Sequence, residues 1–291
     1  MLRFRRRNDT FLGLLVAGEW LQRSASARAK AVQVDVRRAH SARVYDYWLG
    51  GKDNFASDRD AAEEAIGANP GIVGDARANR ALLARAVAVL ARDHGVAQFL
   101  DIGTGLPTDR NTHEIAQAAN PAARVVYVDN DPIVLAHARA MLISGPDGRC
   151  DYVDADLRDP AMILKAAART LDLNRPVALL LLLVLHLIPD EDGPHEVVSS
   201  LLGGLAEGSY LVVSHPASDV RADPVAEMTR RMNQRLRGPN ATLRDRDQTS
   251  RFFDGLELLE PGVVQPPQWR PDPGDPAPPD VPIWCGAGRK P

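Results

Sequence analysis

The sequence predicts a three-layer α/β sandwich: a doubly wound, mostly parallel sheet with helices on both faces. From about Arg77, stretches of helical periodicity alternate with short apolar runs, the pattern of parallel strands joined by crossover helices. One run, Val177 to Leu185, is apolar at every position, as a strand buried on both faces must be. The last two strand candidates, LELLEPGVV from Leu256 and PIWCGAG from Pro282, are separated by a proline-rich stretch with no helix, which predicts an antiparallel pair at one sheet edge.

Taken in order, ANRALLARAVAVLARDHG from Ala78 is a helix with Gly95 just past its end. AQFLDIG follows as the first strand. NTHEIAQAA opens a helix with Asn111 as N-cap and Glu114 as its third residue. RVVYVDND is the second strand, and PIVLAHARAML starts a helix with Pro132 in its first turn. DYVDAD is the third strand, AMILKAAARTL a helix, and the apolar run ending at His186 the central fourth strand. HEVVSSLLGGLAEG is a helix, SYLVVSHP the fifth strand and PVAEMTRRMNQRL a further helix. The proline-dense segment Pro266 to Pro282 is expected to cross the surface.

Composition narrows the class. With 291 residues, net charge −3, 45% hydrophobic and 25% charged residues, the chain reads as a globular protein with no basic stripe for nucleic acid. Two cysteines, Cys150 and Cys285, make neither a disulfide framework nor a cysteine zinc site and favour a reducing compartment, hence a cytoplasmic location. The longest apolar run is too short to span a bilayer. The start of the chain copies a signal peptide imperfectly, since Glu19 interrupts a short apolar stretch; residues 1–33 read as a flexible N-terminal extension.

The strand ends carry the chemistry. Gly103 and Gly105 follow the first strand, where the backbone must turn and let a ligand approach. Asp129 ends the second strand, suitably spaced to take both ribose hydroxyls, with Asn130 beside it. Asp156 ends the third, where a carboxylate can accept from the adenine amino group. Together they describe an adenosine; the competing account is that each acid merely caps the next helix. A dinucleotide wants a third glycine at the phosphates, but Thr108 stands there, and no hydride-transfer acid is evident. S-adenosylmethionine instead presents a sulfonium and a zwitterionic tail, for which Asp101 is a suitable electrostatic partner.

The blocks ARVYDYWLGGKDNFASDRDAAE, RANRALLARAV, FLDIGTGLPT, VVYVDNDPIVLAHARAML, YVDADLRDP, VLHLIPD and GSYLVVSHP resemble an actinobacterial family of S-adenosylmethionine-dependent methyltransferases once catalogued as a domain of unknown function. The resemblance runs from about Val34 to Pro291. It implies a class I methyltransferase fold with seven strands, the last antiparallel, and S-adenosylmethionine as cofactor. Carried over by position, it implies that Asp101, Gly103 and Gly105 contact the methionine moiety, Asp129 the ribose, and Asp156 with the Leu157 backbone the adenine.

The block around Tyr45, Tyr47, Trp48, Gly50, Gly51, Lys52, Asn54 and Phe55 mixes aromatic and polar residues about a glycine pair. It is expected to be a helical lid over the cleft (34–76, with the core at 77–291) and to meet the substrate; the alternative is a packing element capped at Gly50. Arg80 is either a partner of the cofactor carboxylate or a surface arginine. His186, followed by Asp190, is the candidate general base, against a purely structural role. His215 and His113 rank below it, and no metal site is expected. The expected function is methyl transfer to a small-molecule acceptor, with no nucleic-acid or membrane partner. The alternative is a catalytically silent S-adenosylmethionine or S-adenosylhomocysteine-binding regulatory protein.

Overall fold

The computed structural model describes residues 36–108, 110–141, 144–236, 238, 240–271 and 280–291. The expected extension 1–33 lies outside them. The sheet is built from β1 (Gln98–Ile102), β2 (Arg124–Asp129), β3 (Arg149–Asp154), β4 (Ala178–Leu182), β5 (Tyr210–Pro216), β6 (Glu257–Leu258) and β7 (Ile283–Arg289). Their spatial order is β3-β2-β1-β4-β5-β7-β6. The first five strands are parallel, while β7 runs antiparallel between β5 and β6, with Ser214 opposite Cys285. The expected antiparallel ending and the class I topology are both present.

Around the sheet lie α1 (Ser41–Trp48), α2 (Ala56–Ala68), α3 (Ile72–Asp93), α4 (Thr112–Ala119), α5 (Pro132–Met141), α6 (Pro160–Ala167), α7 (Pro194–Gly203), α8 (Ala222–Arg235) and α9 (Arg246–Ser250). Strand alternation divides the core into two layers. Leu179 and Leu181 of β4 pack with Ile163 of α6 and Val198 of α7, whereas Leu180 and Leu182 join Val87 and Leu90 of α3 and Ile115 of α4. Each such buried side chain contributes roughly 1.5–3 kcal/mol of transfer free energy. A third cluster joins α1 and α2 to α8, with Val44, Ala61, Ala65 and Met232 at its centre.

Three expectations need correction. The boundary expected at 76/77 falls inside α3, one unbroken helix whose first turns border the cavity described below and whose later turns pack on the sheet. The fourth strand stops at Leu182, because Leu183 has a left-handed φ of 49° and its N–H turns to Ser214; His186 therefore sits in a 3₁₀ turn, Leu185–Leu187, beyond the strand end. Of the proline-rich stretch, 272–279 lie outside the described residues; its described start does not simply cross the surface, since Trp269 is fully buried, its carbonyl accepting from Arg85 Nε at 3.1 Å. Asn111 and Glu114 cap α4 as expected, the Asn111 N–H donating to Glu114 Oε2 at 2.6 Å.

Candidate functional site

The carboxyl ends of β1, β2 and β3 open on a cavity of about 340 Å³. Gly103 and Gly105 adopt φ of 73° and 65°, as the tight turn after β1 demands. A Cβ on Gly103 would lie 2.5 Å from Val184, so this glycine admits the chain after β4; a Cβ on Gly105 would meet nothing within 4 Å and face open space. Asp129 holds that turn directly, its Oδ2 accepting the Gly105 N–H at 3.0 Å and its Oδ1 the Asp131 N–H at 2.9 Å.

Asp101 and Asp129 are both buried. Burial raises the carboxyl pKa of Asp101 to about 6, opposed by the Thr112 hydroxyl donating at 2.6 Å and by the charge of Arg80, and aided by the charge of Asp129. Asp129 is likewise raised by burial. Asp156 is half-exposed; its Oδ1 accepts the Arg158 N–H at 2.9 Å. Arg158 in turn donates to the Leu187 carbonyl at 3.1 Å, tying the third strand end to the turn that carries His186.

On the far side of β1 the cavity continues over β4 and β5. His186 lines it, with Nδ1 buried and without a hydrogen-bond partner; burial and then the charge of Arg244 lower its pKa to about 4, so the imidazole is neutral at pH 7. Asp190 does not pair with His186. Its Oδ1 accepts from Arg244 Nη2 at 2.6 Å, and Arg244, itself 2% exposed, also donates to the carbonyls of Leu185 and Ile188 on either side of the His186 turn.

The structure brings most of the sequence-predicted residues to this one cavity: Asp101, Gly103, Gly105, Asp129, Asn130, Asp156, Leu157, Arg80, His186, and Tyr45 and Trp48 from α1. It does not bring the rest of the lid block there. The Tyr47 hydroxyl donates to Glu63 at 2.5 Å away from the cavity, and Gly50, Gly51, Lys52, Asn54 and Phe55 form a loop outside the lining. The cause is helical spacing, since Tyr45 and Trp48 share a face of α1 that Tyr47 does not. The loop is seated on buried Asp46, which accepts from the Asp53 N–H (3.1 Å) and Asn54 Nδ2 (2.8 Å), and Asp53 approaches His137 Nε2 at 3.4 Å.

Comparison with known proteins places this geometry. The S-adenosyl methyltransferase family matches residues 27–291. The chain belongs to that family. Similar proteins of solved structure include a DUF574 family protein from Streptomyces avermitilis, 45% identical over 88% of this chain and 99% of its own, with TM-score 0.85. A candidate methyltransferase from Thermobifida fusca is 41% identical over 88% of this chain and 96% of its own, with TM-score 0.81. The plantazolicin methyltransferase BpumL, solved with S-adenosylhomocysteine, shares the fold at 13% identity and TM-score 0.50 over 86% of this chain and 95% of its own. No curated protein matches the chain.

As a member of the S-adenosyl methyltransferase family, the chain is an enzyme that uses S-adenosylmethionine. The residues present fit that group: the open backbone at Gly105 leaves it room, and the buried carboxylates nearby suit a cation and a diol. Sequence reasoning missed three contributors. Ser214 and Asn79 form a buried relay, Leu183 N–H to Ser214 Oγ (3.0 Å), Ser214 Oγ to Asn79 Oδ1 (2.7 Å), Asn79 Nδ2 to the Tyr45 oxygen (3.2 Å), which ends at the Ala76 carbonyl (3.0 Å). Arg244 is the third. No local motif marks any of them, because their partners lie far away in sequence. Among the described residues there is no metal-binding cluster and no helix long and apolar enough to cross a membrane.

Proposed function

We propose that the chain transfers a methyl group from S-adenosylmethionine to a small-molecule acceptor, and that the strand ends of β1, β2 and β3 hold the cofactor. The observation that supports this most strongly is that three acidic strand ends and two left-handed glycines border one cavity. In this reading Asp101, Gly103 and Gly105 contact the methionine moiety, and Arg80 faces its carboxylate. Asp129, with Asn130 beside it, takes the ribose hydroxyls, and Asp156 with the Leu157 backbone takes the adenine. When bound, S-adenosylmethionine supplies an electrophilic methyl on a sulfonium.

Tyr45 and Trp48 roof the cavity and exclude water, while Gly50 to Phe55 brace the roof from outside. His186, neutral at pH 7, orients the acceptor by a hydrogen bond; with a pKa near 4 it is a weak base, and its burial suits positioning better than proton abstraction. The net charge of −3 and the two free cysteines support a cytoplasmic enzyme without a nucleic-acid or membrane partner.

Calorimetric titration of the full chain with S-adenosylmethionine, S-adenosylhomocysteine and NAD tests the reading. Micromolar binding of the first two without the third is the expected result; binding of NAD alone overturns it.

A further inference from the structure

The cavity is divided in its chemistry as well as in its position. Over β1, β2 and β3 its lining is rich in charge, with Asp101, Asp129, Asp156, Arg80 and Arg158. Over β4, β5 and α8 the described lining residues include no Asp, Glu, Lys or Arg. Where α3 meets this second half, Asp75 is matched internally, bound to Arg221 and approached by Asn69 Nδ2 at 3.4 Å.

The second half is lined mainly by Trp48, Ile72, Val225, Met228, Met232 and Leu236. Met228 and Met232 stand one helical turn apart on α8, and thioethers adapt to a flat or irregular apolar guest. Three uncharged hydrogen-bonding side chains, His186, Thr229 and Asn233, interrupt this surface. Two of them are linked through the 241–242 backbone: Asn233 Oδ1 accepts the Ala241 N–H at 2.9 Å, and the Thr242 N–H donates to the His186 carbonyl at 2.8 Å, while Thr229 stands one helical turn before Asn233 on α8. A charged group entering this half would lose its hydration and find no unmatched counter-charge, a penalty far larger than a hydrogen bond repays.

We infer that the methyl acceptor is an uncharged, largely apolar molecule bearing one hydrogen-bonding group, held between the ends of β4 and β5 and the inner face of α8. This rests on the methyltransferase reading above and specifies its substrate class. The charged half binds the cofactor and the neutral half selects the acceptor, so the two specificities are separable.

The test uses the full chain saturated with S-adenosylhomocysteine at pH 7 and three probes of one shape: 2-naphthol (neutral), 2-naphthoate (anion) and 2-naphthylmethylammonium (cation). Binding is followed by calorimetry and by Trp fluorescence. The expected result is that 2-naphthol binds at least about tenfold more tightly than either ion. In Thr229→Asp, whose S-adenosylhomocysteine titration reports its folding, the order should invert, with the cation gaining at least about tenfold over the naphthol. Ions binding as tightly as naphthol, or no probe binding to the loaded protein, overturns the substrate class and leaves the cofactor site standing. Failure of S-adenosylhomocysteine itself to bind overturns the reading beneath it.

Discussion

Arg244 Nη1 stands 2.6 Å from His215 Nε2, deep beneath the turn that carries His186. A guanidinium only donates, so Nε2 accepts and the proton of His215 sits on Nδ1, 3.0 Å from the Pro216 carbonyl. One buried cation thus sets the tautomer of His215 and holds the carbonyls flanking His186; burial lowers the pKa of both rings, helped by the charge of Arg244 at His186 and by His186 and then Arg244 at His215.

Arg244→Met should therefore lower stability by about 2–4 kcal/mol, by orphaning buried carbonyls. The sign of the pH effect follows from His186. Its folded pKa of about 4 lies below the ordinary 6.5, so the unfolded chain binds protons first. The stability linked to His186 is fully present above pH 6.5 and declines as pH falls from there toward 4. In Arg244→Met the His186 pKa should rise and that window narrow, as NMR titration of the ring C–H signals and thermal melts across the window would register. A titration curve identical to that of the parent chain would refute the electrostatic role of Arg244.

Asp101 has the opposite sign. Its folded pKa of about 6 exceeds the ordinary 3.8, so its ionised form at pH 7.5 costs folding free energy that is absent below pH 3.8. Asp101→Asn should stabilise the ligand-free protein by about 1–3 kcal/mol at pH 7.5, with the gain shrinking as pH falls through 6, while weakening S-adenosylhomocysteine binding. Melting curves at two pH values with matched titrations would decide it; unchanged affinity would remove Asp101 from the site.

Asp129→Ala should weaken S-adenosylhomocysteine by more than tenfold, because two hydrogen bonds to a buried charge are worth about 1.5–3 kcal/mol each. It also releases the Gly105 N–H. An affinity within twofold of the parent chain would reject the ribose assignment.

The two glycines separate packing from ligand space. Gly103→Ala drives a methyl to 2.5 Å from Val184 and should cost clearly more stability than Gly105→Ala, whose strain is only the left-handed backbone, about 1–2 kcal/mol. Gly105→Ala should instead lose more ligand affinity per unit of stability lost. The comparison needs melts and titrations of both proteins.

The relay from Ser214 through Asn79 to Tyr45 predicts coupling between α1 and β5. In a double-mutant cycle of Tyr45→Phe and Ser214→Ala, residues that share Asn79 as partner, the interaction energy should be about 0.5–3 kcal/mol. A value of zero in chemical denaturation would mean that the relay transmits nothing.

The fold and the three acidic strand ends were legible because strand ends are marked locally: an apolar run stops at Asp or Gly, as at Asp101–Gly105 and Asp129. The end of β4 was not, since Leu183, Val184 and Leu185 prolong the apolar run past the point where the backbone turns left-handed. The lid block was half legible. Its composition signalled a special segment, but which of Tyr45, Tyr47 and Trp48 face the cavity depends on helical phase, and Gly51 is required by Asp46, whose carboxylate fills the space its Cβ would take. Arg244, Asn79 and Ser214 were illegible because each acts through partners that only the assembled sheet brings near.

The antiparallel insertion of β7 has a bearing on synthesis. The strands β1 to β3 are consecutive in the chain and pair as neighbours, so they can assemble while the ribosome is still adding residues. The strand β5 gains its neighbour on its outer side only when Ile283–Arg289 emerges, and among the described residues β6 pairs with β7 alone. The nascent protein therefore carries an open, strongly apolar edge, Tyr210 to Val213, until Ile283–Arg289 has been made, which makes that edge the point at which translation delayed before β7 would lead to aggregation.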